Sequence, residues 1–294
     1  VTDITNRMIP LGAFELYLLN DATSFVDGGG AFGLVPRKLW SAYFPPDDDN
    51  LIQMAQHCLL VKAHEQYILI DTGLGDKLDD KAQRFWNLQY SGGLQRGLAQ
   101  LGIALEQISI VINTHLHADH CGGNTRWRDD HQTTVPAFPN ARYLVQRREY
   151  DDAMRPNERT RATYLPFNYD PLVQSGQMRL VEGFIEVLPG IELHVTPGHT
   201  PGHMSVRLSS AGQHAAFVCD LATYSVHFER LGWMTAYDVE PLRTLETKRQ
   251  WQIWALEAEA LLIFPHDFKR PAGRLQEHGT KLELVTVDVP VIEA

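Results

Sequence analysis

Four side chains able to bind a metal ion stand within six residues, in His115-Leu116-His117-Ala118-Asp119-His120. That density points to metal-dependent hydrolysis. In extended backbone His115 and His117 face the same way, whereas Asp119 and His120 fall in the following turn and can face a second ion. A lone histidine among the 13 of this chain would most simply be a surface or core residue. Three histidines and an aspartate packed together, before a Cys121-Gly122-Gly123 turn where glycine frees the backbone, are read as ligands.

Ligands need a rigid base. Residues 108–114, Ile-Ser-Ile-Val-Ile-Asn-Thr, form an apolar, β-branched run that reads as a buried strand ending where the histidines begin. One loop cannot wrap two ions, so the other ligands are expected at the ends of other strands. Three places qualify. Residues 192–196 alternate and lead into Pro197-Gly198-His199-Thr200-Pro201-Gly202-His203, where proline and glycine stiffen the turn around His199. Residues 215–219 are apolar and followed by Asp220; residues 260–265 are apolar and followed by His266.

These spaced motifs, from about Leu51 to His266, resemble those of the metallo-β-lactamase-fold hydrolase superfamily. The resemblance implies an α/β fold, a four-layer αββα sandwich of two mixed β-sheets flanked by helices, with a dinuclear metal site at one edge. Carried over residue by residue, it implies that His115, His117 and His199 hold one ion, that Asp119, His120 and His266 hold the other, and that Asp220 bridges both. Asp71, in Tyr67-Ile68-Leu69-Ile70-Asp71-Thr72-Gly73, matches the family's first motif, which implies a place behind a ligand rather than on the metal. A plain turn-forming aspartate before Gly73 is the alternative reading.

Imidazole and carboxylate suit zinc, with iron, cobalt or manganese as alternatives, and an open position between two ions holds water whose pKa falls to near neutrality. The resulting hydroxide is the expected nucleophile, with Asp220 bridging and Asp119 placed to carry the proton to the leaving group. No side-chain nucleophile is needed, so none is assigned to Cys58, Cys121 or Cys219. Cys219 is expected on a strand with its side chain turned away, and Cys121 is expected to pack.

The Asp27-Gly28-Gly29 to Val35-Pro36 pattern resembles the branch of N-acyl-homoserine lactonases and methyl-parathion-hydrolase-like enzymes. It implies a small apolar lactone or ester as substrate, with phosphotriesters and aryl esters as the alternative. In the lactonases a tyrosine three residues beyond the bridging aspartate donates to the substrate carbonyl. Thr223 stands at that place here, and Tyr224, one further on, is the candidate for the role. Residues 25–44 carry more apolar surface than a solvated loop needs, so Phe25, Phe32, Leu34 and Trp40 are expected to line the pocket or meet a subunit neighbour. Closing one end of the core is the other reading. His227 joins them as a pocket candidate, and residues 155–169, with Tyr164, Leu165, Phe167 and Tyr169, as a second wall.

The net charge of −10 disfavours nucleic acid as a partner, because phosphate-binding proteins generally show a basic surface. No apolar run approaches the roughly 20 residues that span a bilayer. Residues 1–7 lack a signal-peptide pattern, and three cysteines give no disulfide framework, which fits a cytoplasmic protein; a signal cleaved before Val1 is left open. One domain over residues 1–294 is expected, with an N-terminal extension at about 20–50 over the pocket or an interface, and a homodimer through residues 25–44 as its assembly.

Competing functions fit less well. A glyoxalase II-like thioesterase needs a basic surface for glutathione, a tRNA nuclease needs a positive arm, and a sulfur dioxygenase lets the second site decay. A non-catalytic acyl-ligand sensor has little use for seven ligands. The glycines at 28–30 and 33 lack the lysine and strand context of a phosphate loop. Further elements are a strand at 13–19, a hairpin joining 58–63 to 67–71, and helices at 93–101 and 242–260.

Overall fold

The computed structural model describes residues 4–129 and 132–293. In chain order the first strands are β1 (Ile9–Leu11), β2 (Phe14–Asp27), β3 (Leu51–Ala63), β4 (Gln66–Ile70), β5 (Ile108–Ile112), β6 (Thr125–Trp127), β7 (Thr134–Pro136), β8 (Arg142–Gln146) and β9 (Met178–Val181). There follow β10 (Ile185–Leu188), β11 (Ile191–Val195), β12 (Met204–Ser210), β13 (Gln213–Phe217), β14 (Leu261–Ile263), β15 (Ala272–His278), β16 (Lys281–Thr286) and β17 (Val291–Ile292). One sheet has the order β1-β2-β3-β4-β5-β8-β9, with β17 added beside β2; a second runs β10 to β16 in sequence order; β6 and β7 form a separate ribbon. Both sheets are mixed. In the first, β4, β5, β8 and β9 are parallel, and in the second only β13 and β14 are.

The two-residue period of the strands sorts the side chains into layers. Leu16, Leu18, Leu59, Val61, Ile68, Ile70, Ile110 and Ile112 face Leu193, Val206, Leu208, Phe217 and Ile263 across the core between the sheets. The alternate residues Leu19, Leu60, Leu69, Val111 and Tyr143 pack outward against Leu94 and Leu98 of the helix Gly93–Gln100. On the other side Ala216, Val218 and Leu262 pack against Trp251 and Ala255 of the helix Pro241–Glu257. The result is helix, sheet, sheet, helix, the α/β architecture that the motifs imply.

The parallel strands put their carboxyl ends at one edge, and the functional loops leave from there. Asp71 follows β4, His115 follows β5, His199 follows β11, Asp220 follows β13 and His266 follows β14.

Residues 20–40 are not an open loop. The strand expected at 13–19 runs on to Asp27, which caps a short helix, Gly28–Phe32, by accepting from Gly30 N at 2.9 Å. Gly28 is required there because a Cβ would lie 2.3 Å from the Trp40 ring. Among the described residues, no helix is long and apolar enough to cross a membrane.

Candidate metal centre

The ligand-bearing loop is fixed from behind before it offers anything to a metal. Thr114 donates to Asp71 through both its backbone N–H, at 2.8 Å, and its hydroxyl, at 2.7 Å. The same carboxylate takes the Nδ1 proton of His120 at 2.9 Å. Asp71 has a φ of 57°, a left-handed conformation that these bonds hold in place.

Two groups of ligand atoms result. His117 Nδ1 lies 3.1 Å from His115 Nε2 and 3.1 Å from His199 Nε2. Separately, His266 Nε2 lies 3.1 Å from His120 Nε2, and Asp119 Oδ2 lies 3.8 Å and 3.7 Å from these two nitrogens. Asp220 stands between the groups. Its Oδ2 is 3.2 Å from His199 Nε2 and 3.6 Å from His120 Nε2, while its Oδ1 is 3.2 Å from His266 Nε2.

The chemistry of these atoms calls for cations. His120, His199 and His266 face acceptors with their Nδ1 atoms: Asp71 at 2.9 Å, Asp238 at 3.0 Å and the Ala55 carbonyl at 2.7 Å. With the proton on Nδ1, each Nε2 turns a lone pair inward. Converging lone pairs repel, whereas tetrahedral coordination with bonds of about 2.0–2.1 Å sets ligand nitrogens about 3.3 Å apart. Asp220 Oδ1 is buried without a hydrogen-bond partner among the described residues. Burial, with the neighbouring imidazoles, holds His115 and His117 well below the usual histidine range, so both are neutral. Burial opposes the charge of Asp220, and in the metal-free site only positive charge on the imidazoles around it holds its carboxyl well below the usual carboxylate range; two metal ions would supply that charge and leave the imidazoles neutral. The residues fit two metal ions.

A profile of the metallo-beta-lactamase superfamily matches residues 52–265. The chain belongs to that superfamily. It is 27% identical to an N-acyl homoserine lactonase of Bacillus cereus over 236 residues, 76% of this chain and 86% of the relative. A similar lactonase of a Bacillus species is 28% identical over the same shares. Among solved structures, a Staphylococcus aureus protein described as a "probable metal-dependent hydrolase" superposes with a TM-score of 0.87 at 27% identity, covering 95% of this chain and 99% of that one. AidC, described as a dizinc quorum-quenching lactonase, shares the fold with a TM-score of 0.79 at 21% identity, covering 96% and 97%. Within the superfamily this branch resembles the N-acyl homoserine lactonases, and the fold with its two metal-binding clusters is that of a metal-dependent hydrolase.

The ligands open into a cavity of about 480 Å³. His117, Asp119, His199, Asp220 and His266 form its floor, and Phe25, Val26, Leu51, Met54, Phe85 and Trp86 form an apolar wall. Tyr224 lines it too, and its buried hydroxyl has no hydrogen-bond partner among the described residues. From the expected second wall, Arg159, Ala162 and Thr163 reach the cavity. Tyr164 and Tyr169 are buried beneath, the Tyr164 ring 5.1 Å from that of His117.

Several pocket expectations need correction. Phe25 lines the cavity, but Leu34 stands in solvent at the tip of the turn between two short helices, where Val35 N bonds back to Phe32 O. Phe32, Trp40 and His227 form a layer behind Tyr224 rather than the wall itself. The Phe32 ring stacks 5.2 Å from Trp40 and 5.7 Å from Tyr224, and His227 meets Phe32 edge-on at 5.0 Å. Cys219 is not on a strand, although its side chain lies on the Nδ1 side of His120, away from the inward-facing Nε2. β13 ends at Phe217, Cys219 has a φ of 51°, and its Sγ lies 2.9 Å from Thr114 Oγ1 and 3.5 Å from His120 Nδ1.

Other residues have no counterpart in the sequence reading. Asp238 orients His199, and nothing in its surroundings in the chain announces it. His203 takes the Asp220 backbone N–H on Nε2 at 3.1 Å while its Nδ1 faces Thr196; burial pushes its pKa down to about 3, so it stays a neutral acceptor. The repeated Pro-Gly-His in residues 197–203 was the available signal.

Proposed function

We propose that the protein is a dinuclear, zinc-dependent hydrolase that opens apolar lactones of the N-acyl-homoserine-lactone kind. One observation carries this reading: Asp220 turns one oxygen toward each ligand cluster, at 3.2 Å from His199 and 3.2 Å from His266, on the floor of an apolar cavity.

His115, His117 and His199, with Asp220, would hold one ion, and Asp119, His120 and His266, again with Asp220, would hold the other. When bound, such a pair supplies hydroxide at neutral pH and polarises the attacked carbonyl. The protein's own groups do the rest. Asp119, beside His120 and His266 and lining the cavity, takes the proton that remains on the attacking oxygen after addition to the carbonyl and returns it to the alkoxide oxygen released when the ring opens. The unpaired Tyr224 hydroxyl donates to the carbonyl oxygen as charge gathers there. Phe25, Val26, Met54, Phe85 and Trp86 take the acyl chain and keep bulk water out.

The aromatic share of that wall favours a second reading, hydrolysis of aryl esters or phosphotriesters, whose rings would stack on Trp86 or Phe85. A substrate panel separates the two. Purified, zinc-loaded protein is given a long-chain N-acyl-homoserine lactone, an aryl ester and a phosphotriester beside a chelated control. Metal-dependent ring opening as the fastest reaction supports the lactonase reading. Turnover of the aryl substrates with the lactone left intact overturns it.

A further inference from the structure

Glu149, in the first turn of the helix Arg147–Ala153, is fully buried and belongs to neither ligand cluster. Its Oε1 accepts from Leu116 N at 2.9 Å and from the Tyr164 hydroxyl at 3.0 Å, and its Oε2 accepts from the Thr200 hydroxyl at 2.5 Å. The positions of these donors carry the argument. Leu116 lies between His115 and His117, Thr200 follows His199, and the Tyr164 ring packs against His117. A single carboxylate is thus bonded from both loops that supply the first cluster. Among the described residues, its partners are Leu116, Tyr164 and Thr200, none of them in the second cluster. The approach is close: a Cβ on Gly202 would lie 2.3 Å from Glu149 N, so the loop after His199 can dock only with glycine there.

We infer that Glu149 is a positioning residue that clamps the His115–His117 loop to the His199 loop and thereby sets the affinity of the first metal ion without setting that of the second. A buried anion serves this better than a neutral group. Burial opposes the charge of Glu149 and raises its pKa, but the hydrogen bonds from Thr200, Leu116 and Tyr164 favour the carboxylate form, in which all three are charge-assisted, and a cation in the first cluster would favour it further. The inference rests on the two-ion reading of the site and not on the identity of the substrate.

Glu149→Gln keeps the volume and removes the charge. Its amide oxygen can still accept from Leu116 N, and the Thr200 hydroxyl can reverse to accept from its NH2, so the fold is retained. Thr200→Val cuts the link to the His199 loop without touching the helix. The wild type, both variants and a His199→Ala reference are loaded with Co²⁺, and bound ions per chain and the visible absorption spectrum are followed against a competing chelator. The inference predicts that each variant holds one ion as the wild type does and binds the other about 10–100-fold more weakly. The absorption band lost should be the one missing in His199→Ala. Melting of the metal-free forms tells a clamp from general support of the fold, since only the latter moves it by as much as the loaded forms. Equal weakening of both ions, or of neither, overturns the inference. Fewer than two Co²⁺ ions on the wild type overturns the two-ion reading itself.

Discussion

Asp238 takes the Nδ1 proton of His199 at 3.0 Å across 39 residues of chain, and its same Oδ1 accepts the Thr235 hydroxyl at 3.0 Å. The bond sets the tautomer that turns His199 Nε2 toward Asp220. Removing such a partner typically costs 10–100-fold in metal affinity. Asp238→Ala should therefore bind one of two zinc ions about 10–100-fold more weakly, read by competition with a chromogenic chelator. Unchanged affinity for both ions would remove Asp238 from the account.

Tyr224 presents the opposite case, a buried hydroxyl with nothing to bond. Tyr224→Phe deletes a polar group that the resting fold does not satisfy, so the melting temperature should hold or rise. If the phenol donates to the carbonyl oxygen, the turnover number should fall roughly 10–1000-fold with the metal content intact. An unchanged rate would leave carbonyl polarisation to the metal ions.

Leu34 and Trp40 lie six positions apart and have opposite environments. Leu34→Ser, at a solvent-exposed position, should change stability by no more than about 0.5 kcal/mol and leave turnover alone. Trp40→Ala, in a residue 2% exposed and stacked on Phe32, should cost about 3–5 kcal/mol by denaturant unfolding. Comparable effects from the two would contradict the packing described for residues 28–44.

Lys248 gives the fold a pH dependence of its own. Its ammonium is buried, donates to the carbonyls of His227 and Trp233, and is pushed down by burial to about 8 from the ordinary 10.5, with Asp238 opposing the shift. The folded value lies below the unfolded one, so between the two the unfolded chain binds more protons and stability rises with pH. Lys248→Met removes this titration. Denaturant unfolding at about pH 7.5 and 9.5 should show the wild type gaining stability relative to the variant at the higher pH. A constant difference would contradict it.

The sandwich was legible because its strands are short β-branched runs with polar turns at their ends. Residues 108–114 contain β5, and residues 192–196 and 260–265 match β11 and β14 within about two residues, the usual uncertainty of an element's ends. The loop residues after those strands were legible for the same reason. What supports them from behind was not. Asp238 and Glu149 are single carboxylates in unremarkable stretches, and only the folded chain brings them to His199 and Leu116. Residue type also failed to say which apolar side chains face the cavity. Phe25 does and Leu34 does not, because a strand and a turn between short helices direct neighbouring side chains differently. Phe85 and Trp86 were missed because the six-residue helix Asp80–Phe85, capped by Asp79, is too short to show a helical period.

The most direct test of the central claim is a titration of metal-free protein with zinc, following the opening of a long-chain N-acyl-homoserine lactone by chromatography at each addition. Activity that keeps rising to two equivalents per chain, and falls to the background rate in Asp220→Ala, is the predicted result. Saturation at one equivalent, or an Asp220→Ala variant with near-normal turnover, would contradict a metal centre shared through that carboxylate.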